Sequence, residues 1–282
     1  MPHFGFNDIE IYYETQGSGT PLLLVPGLGG VGSYWKPQID LFARHFQVLV
    51  HDHRGTGRST HDPIRYSVEQ MAEDLVRLMD ALHIEKAHLV GHSTGGAIGQ
   101  VLAIDHPDRL HSLVLYATWT KADPFMRRVF STRKNLVLNG GAEAYVTATP
   151  LFLFPDWWIN EHDVELRTAD RNALCGFPPA EIVASRADAV IAFDRVEQLR
   201  SIKTPALVLC AKDDYLTPPY FSQELFGHIP EAELIILEKG GHSCSQTVPE
   251  EFNSVVLRYL QSQEILLNGR GSISHTTQKK GG

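Results

Sequence analysis

The 282-residue chain has no apolar run approaching the ~18–20 residues a membrane span requires, so no membrane partner is expected. Its first residues, Met1-Pro2-His3-Phe4-Gly5, do not follow the pattern of a secretory leader. Cysteine is scarce. Cys175, Cys210 and Cys244 are too few and too scattered for a disulfide framework or a thiolate metal site, and read as reduced thiols of a cytoplasmic protein. Positive charge is short as well: 25 Lys and Arg face 33 Asp and Glu, a formal charge of −8, which argues against a nucleic-acid partner. His51-Asp52-His53 has no further ligand at metal spacing, so no metal is expected. No internal repeat is visible.

The remaining composition, 43% hydrophobic and 21% charged, is that of an ordinary globular protein long enough to bury a large core. Apolar segments alternate with helical patterns, which predicts an α/β fold: a mostly parallel, twisted sheet flanked by helices. Phe4 to Gln16 reads as a hairpin, and Pro21–Val25 and Phe46–Val50 as strands buried on both faces. Ser33 to His45 reads as a helix with Ser33 as its cap, and Ser67 to His83 as a helix with an apolar stripe from Met71 to Leu82. Further strands are expected at 87–90, 110–117, 206–210 and 233–237, with a last helix over 248–260. Residues 119–198 break the alternation, being helical in pattern and rich in aromatics. The expected organisation is a core over 1–118 and 199–264, a helical cap insertion over 119–198, and a polar, disordered tail over 265–282.

Gly91-His92-Ser93-Thr94-Gly95 stands between the strand at 87–90 and a small-faced helical run. It matches G-x-S-x-G, in which a serine sits on a strained turn and small neighbours let strand and helix approach. Such a nucleophile needs a base and an acid at the same sheet edge. His242, in Lys239-Gly240-Gly241-His242 after the last strand, is the base chosen from 14 histidines. Asp214, in the loop after the strand at 206–210, is the acid preferred over its neighbour Asp213, with Asp123 as runner-up. The chain order Ser, Asp, His is one of those serine hydrolases use. The N–H groups of Leu28 and Thr94 are placed as the oxyanion hole. A competing reading takes Gly27-Leu28-Gly29-Gly30-Val31-Gly32 as G-x-G-x-x-G, with Asp52 as a ribose ligand, in a dinucleotide-binding protein. Pro26, the bulky Tyr34-Trp35 pair and the preceding hairpin weigh against it.

With these pieces placed, the chain resembles the α/β-hydrolase superfamily over about residues 3–264. The resemblance rests on Pro26–Gly30, Asp52–Gly57, Gly91–Gly95, Asp214 with Pro218, and Gly241-His242, in that order. Within it, Gly27–Trp35, Gly140–Tyr145 and Thr149–Trp157 resemble the RutD-type aminoacrylate hydrolases of pyrimidine degradation, and the elbow region is similar to 3-oxoadipate enol-lactonases. The resemblance implies a cofactor-free hydrolase of a small-molecule ester, lactone, amide or enamine acid. A carbon–carbon bond hydrolase and a ligand receptor that retains the three residues are the alternatives on the same scaffold. Trp119, Arg127, Arg128, Trp157 and Trp158 are the candidate substrate contacts, with the two arginines as anchors for a carboxylate.

Overall fold

Where the sequence is apolar at consecutive positions, the chain lies inside one sheet, because strands covered on both faces need apolar side chains on both. The computed structural model describes residues 3–274, and among them eight strands pair into this sheet. They are β1 (His3–Phe6), β2 (Ile9–Gln16), β3 (Pro21–Val25), β4 (Gln47–His51), β5 (Ala87–His92), β6 (Leu110–Tyr116), β7 (Ala206–Ala211) and β8 (Glu233–Leu237). Their spatial order is β1-β2-β4-β3-β5-β6-β7-β8. β1 pairs antiparallel with β2 and β2 antiparallel with β4; every other pairing is parallel. After β4 the chain crosses to the other side of β3 to lay down β5. Such a reversal opens a crevice at the carboxyl ends of the strands.

Helices α1 (Lys36–Phe42), α2 (Val68–Ala81) and α3 (Thr94–Asp105) alternate with the first strands. Ser67 caps α2 by accepting the Gln70 N–H at 3.0 Å. Ser33 does not cap: Gly32–Trp35 forms a 3₁₀ turn that leads into α1, whose start is set instead by Pro37. α3 is buried from Thr94 to Ala103, and its small residues let it lie against β5 and β6.

Between β6 and β7 the chain runs through α4 (Pro124–Asn135), a π turn over Leu136–Gly140, α5 (Gly141–Ala148), α6 (Pro150–Leu153), α7 (Asp156–Glu161), α8 (Asp163–Leu174) and α9 (Ala180–Ala192). This helical layer leaves and returns at one place, where Lys121 bridges Asp194 and the Arg195 N–H donates to the Thr120 carbonyl. After it come α10 (Pro219–His228), α11 (Cys244–Thr247) and α12 (Pro249–Ser274). α12 corrects the expected tail: the helix continues through 265 to Ser274. Glu264 anchors it, accepting from Thr20 Oγ1 at 3.0 Å and lying 2.9 Å from His88 Nε2, and the good helix formers Leu266-Leu267 prolong it. The rest of the tail expectation, 275–282, lies outside the described residues.

Candidate active site

β5 ends at His92 and α3 starts at Thr94, so a single residue makes the turn between them. Ser93 does so at φ 54° and ψ −114°, a left-handed conformation costly to a residue with a Cβ. The surroundings impose it. A Cβ on Gly91 would run into the Gly95 carbonyl, and one on Gly95 into the Val25 carbonyl. The Ser93 N–H donates to the Tyr116 carbonyl and its own carbonyl accepts from Thr118 Oγ1, both at 2.8 Å. The side chain is thereby held at the carboxyl edge of the sheet.

His242 and Asp214 reach the same edge from the loops after β8 and β7. Asp214 is buried, and its Oδ1 accepts the N–H groups of Leu216 and Thr217, each at 2.9 Å. Its Oδ2 accepts from Thr217 Oγ1 at 2.9 Å and lies 3.0 Å from His242 Nδ1. The other imidazole nitrogen, Nε2, is buried with no protein partner, and His242 lines the same cavity as Ser93. Asp213 acts elsewhere, for its Oδ1 accepts the Gly241 N–H at 2.8 Å and fixes the loop that carries the histidine. Asp123, the runner-up acid, caps α4 by accepting the Met126 N–H and takes the Tyr220 hydroxyl, so it is occupied away from His242.

The His242 carbonyl is pinned from below by His92 Nε2 at 3.0 Å and by the Tyr116 hydroxyl at 3.1 Å. His92 stacks flat on Tyr34 with centroids 4.6 Å apart. Burial, with His242 nearby, holds His92 well below the usual imidazole range, and burial pushes the Tyr116 hydroxyl well up. Both are therefore neutral hydrogen-bonding groups near pH 7. Thr217 Oγ1 also lies 3.1 Å from His242 Nδ1; sequence reasoning missed Thr217 and His92 as supports because these His242 contacts span 25 and 150 residues.

Leu28 follows β3 and Thr94 opens α3, where the first amides of a helix have no intrahelical acceptor. Both flank Ser93: Leu28 lines the cavity, and Thr94 follows the serine directly. Asp52, which the dinucleotide reading assigns to a ribose, accepts the Gly32 N–H at 2.8 Å and the Arg58 Nε at 2.9 Å. Its carboxylate ties two loops together and leaves no ribose clamp.

The cavity has a volume of about 140 Å³, small beside the ~300–1,000 Å³ of pockets for drug-sized ligands. Its floor is the β3 loop with Ser93 and His242, and its roof is Phe130, Arg133, Tyr145, Thr149 and Leu153 of the helical layer. None of the five predicted substrate contacts is among them. Arg127 and Arg128 are exposed on the outer face of α4. Trp119 is fully buried in the core against Phe193. Trp157 lies against Lys239 of the loop after β8, and Trp158 stacks on His162 within the layer at 4.2 Å.

The cation over the cavity is instead Arg133, only 5% exposed. Its Nη2 donates to the Tyr145 hydroxyl at 2.9 Å, its Nε is buried without a protein partner, and no carboxylate pairs with it among the described residues. The rings of Phe130, Tyr145 and Phe152 surround it at 5.1–5.6 Å. A signal for it existed. Met126, Phe130 and Arg133 recur at i, i+4 and i+7, so Arg133 shares the buried stripe of α4.

Beside this site His51 is buried, its Nδ1 without a protein partner, and burial pushes it from its usual 6.5 to about 4. A histidine whose folded pKa is depressed binds its proton only in the unfolded chain between those two values. Stability is therefore full above pH 6.5 and falls as pH drops towards 4, by about 3 kcal/mol from His51 alone. Urea midpoints measured from pH 7.5 to 4.5 check this; a flat profile down to pH 5 contradicts it.

The chain is similar to known proteins along most of its length. A model of the α/β-hydrolase fold family matches residues 20–149. RutD of Azorhizobium caulinodans, a protein named for carbamate hydrolysis, is 41% identical over 259 residues, 92% of this chain and 98% of its own. The RutD of Caulobacter vibrioides, named in the same way, is 41% identical over 256 residues, 89% of this chain and 95% of its own. Among solved structures, the enol-lactonase of Burkholderia xenovorans superimposes with a TM-score of 0.85 at 28% identity, covering 92% of this chain and all of that one.

Proposed function

The chain belongs to the α/β-hydrolase family, among its RutD members, and on that premise we propose a serine hydrolase for small substrates that carry an acidic group. One observation carries the reading: Ser93 and His242, whose Nε2 has no protein partner, line one small cavity roofed by the buried, carboxylate-free Arg133. His242 Nε2 takes the Ser93 hydroxyl proton as Oγ attacks the acyl carbon, and Asp214 holds the opposite nitrogen as donor. The oxyanion is received by the N–H groups of Leu28 and Thr94; one such donor typically lowers the barrier by ~3–4 kcal/mol. His242 then protonates the leaving group, and a water deprotonated by the same imidazole releases the acid and restores Ser93. Every step uses groups of the chain itself. Residues 119–198 act as the cap that excludes bulk water and selects substrate.

The cavity volume supports a substrate of few heavy atoms, and Arg133 supports one bearing a carboxylate. A carbamate, the compound class for which the RutD relatives are named, and an enamine acid are both small anions of this kind. The test is a matched pair of esters, monomethyl succinate and methyl butyrate, followed by pH-stat titration. Arg133→Met is expected to raise KM for the acidic ester by about 10–100-fold, the range of a lost charge-assisted hydrogen bond. It should leave methyl butyrate within about threefold. An equal effect on the two esters removes Arg133 from substrate recognition.

A further inference from the structure

Arg186 is a second fully buried arginine, and nothing in the proposed chemistry uses it. It projects from α9, the last helix of the layer, down to the strand-end loops. Its Nη1 donates to the Arg54 carbonyl at 2.9 Å and its Nη2 to the Leu28 carbonyl at 3.0 Å. Nη2 also lies 3.2 Å from His53 Nδ1, and burial beside His51 and Arg186 keeps His53 neutral, so that nitrogen is an acceptor. The guanidinium sits over the Tyr66 ring at 5.6 Å and pairs with no carboxylate within 4 Å among the described residues. A charge buried without a counter-ion is costly to desolvate, and here two carbonyls and an imidazole nitrogen take the place of a carboxylate.

Its two carbonyl partners suggest why it is there. The peptide that carries the Leu28 N–H has its own carbonyl, that of Gly27, bonded to the Gly30 N–H at 3.0 Å. The next carbonyl, Leu28, is bonded to Arg186. Both ends of the Leu28 residue are thus fixed, and with them the direction of its N–H. Gly30, at φ +70°, is pressed against the same group: a Cβ there would meet Arg186 Nη2 at 2.9 Å. The Gly30 carbonyl in turn accepts the His53 N–H at 2.7 Å and Thr56 Oγ1 at 2.9 Å. A planar fork with several donors suits two carbonyls at once, whereas one ammonium or amide reaches one carbonyl well.

We infer that Arg186 is a positioning residue: it aims the Leu28 N–H at the reacting oxyanion and makes the helical layer and the oxyanion hole one mechanical unit. The inference rests on the proposed Ser93 chemistry, and the experiment separates the two. Wild type, Arg186→Met and Arg186→Lys are compared by steady-state hydrolysis of methyl butyrate, by the rate at which a small fluorophosphonate labels Ser93, and by thermal melting. If wild type is neither active nor labelled, the nucleophile assignment fails first. If wild type is labelled, Arg186→Met is expected to lose about 10²-fold in kcat and in labelling rate, as for a displaced oxyanion donor, with KM within threefold and a lower melting temperature from the carbonyls left unpaired. Arg186→Lys should fall between the two, and added guanidinium should return part of the activity of Arg186→Met. Should Arg186→Met fail to fold, Arg186→Lys alone decides by the same split between kcat and KM. The inference is overturned if the folded variants keep kcat within twofold of wild type, or if the loss is confined to KM.

Discussion

Ser93→Ala is expected to lower kcat for methyl butyrate by about 10⁴–10⁶-fold and to abolish labelling by a fluorophosphonate, the scale on which removing a serine nucleophile acts. The size follows from the absence of a substitute. Thr94 and Ser243 are fully buried and neither lines the cavity, so no neighbouring hydroxyl is placed to take the role. Stability should change by less than about 1 kcal/mol, since alanine at φ 54° carries the same Cβ penalty as serine. The melting temperature therefore separates lost chemistry from lost fold. A folded Ser93→Ala protein that keeps activity within tenfold of wild type would exclude a covalent intermediate at this residue.

Asp214→Asn carries the second largest expected effect, a loss of about 10³–10⁴-fold in kcat with the fold intact. The hydrogen bonds dictate which way the amide turns. Oδ1 accepts two backbone N–H groups, so the asparagine oxygen stays there and its NH₂ replaces Oδ2. That NH₂ then faces His242 Nδ1, which must become an acceptor and pass its proton to Nε2. An Nε2 that already holds a proton cannot take one from Ser93. Parallel losses in turnover and in labelling rate, with urea midpoints near wild type, are the expected signature. Asp123→Asn is the control, because its carboxylate caps α4 and should affect stability rather than kcat. A larger loss of kcat in Asp123→Asn than in Asp214→Asn would exchange their roles.

The legible parts of this molecule are those written in contiguous residues. Gly91–Gly95 encodes a backbone conformation, and the steric demands of its two glycines act within five positions or against the adjacent strand. The parallel strands are legible for the same reason: β3 and β7 are unbroken apolar runs, as burial on both faces demands, and β5 and β6 are mostly apolar, their buried His88 and Ser112 bonded to each other. Loops that follow such strands must emerge at one sheet edge, which is why Asp214 and His242 stand out and why the structure brings them within 3.0 Å.

The helical layer is much less legible. An exposed arginine pair, Arg127-Arg128, and a tryptophan pair, Trp157-Trp158, attract attention by composition, yet composition does not say which face of a helix turns inward. Further along α4, Arg133 lies on the inward stripe. Trp119 illustrates the converse, a large aromatic at a strand end that packs against Phe193 in the core instead of opening onto the cavity. Polarity alone misreads the tail over 265–274, because the anchoring of Glu264 by Thr20 and His88 is invisible in the sequence.

By itself, then, the sequence determined the sheet, the turn that strains Ser93 and the loops that carry Asp214 and His242, since each depends on local backbone geometry or on continuous burial. Only the tertiary structure decided what stands over them. It placed Arg133 above the serine and brought Arg186 to the Leu28 carbonyl, 158 residues away in the chain. Those contacts arise from how whole helices dock on the sheet, a sum of many weak packing terms to which no single stretch of residues holds the key.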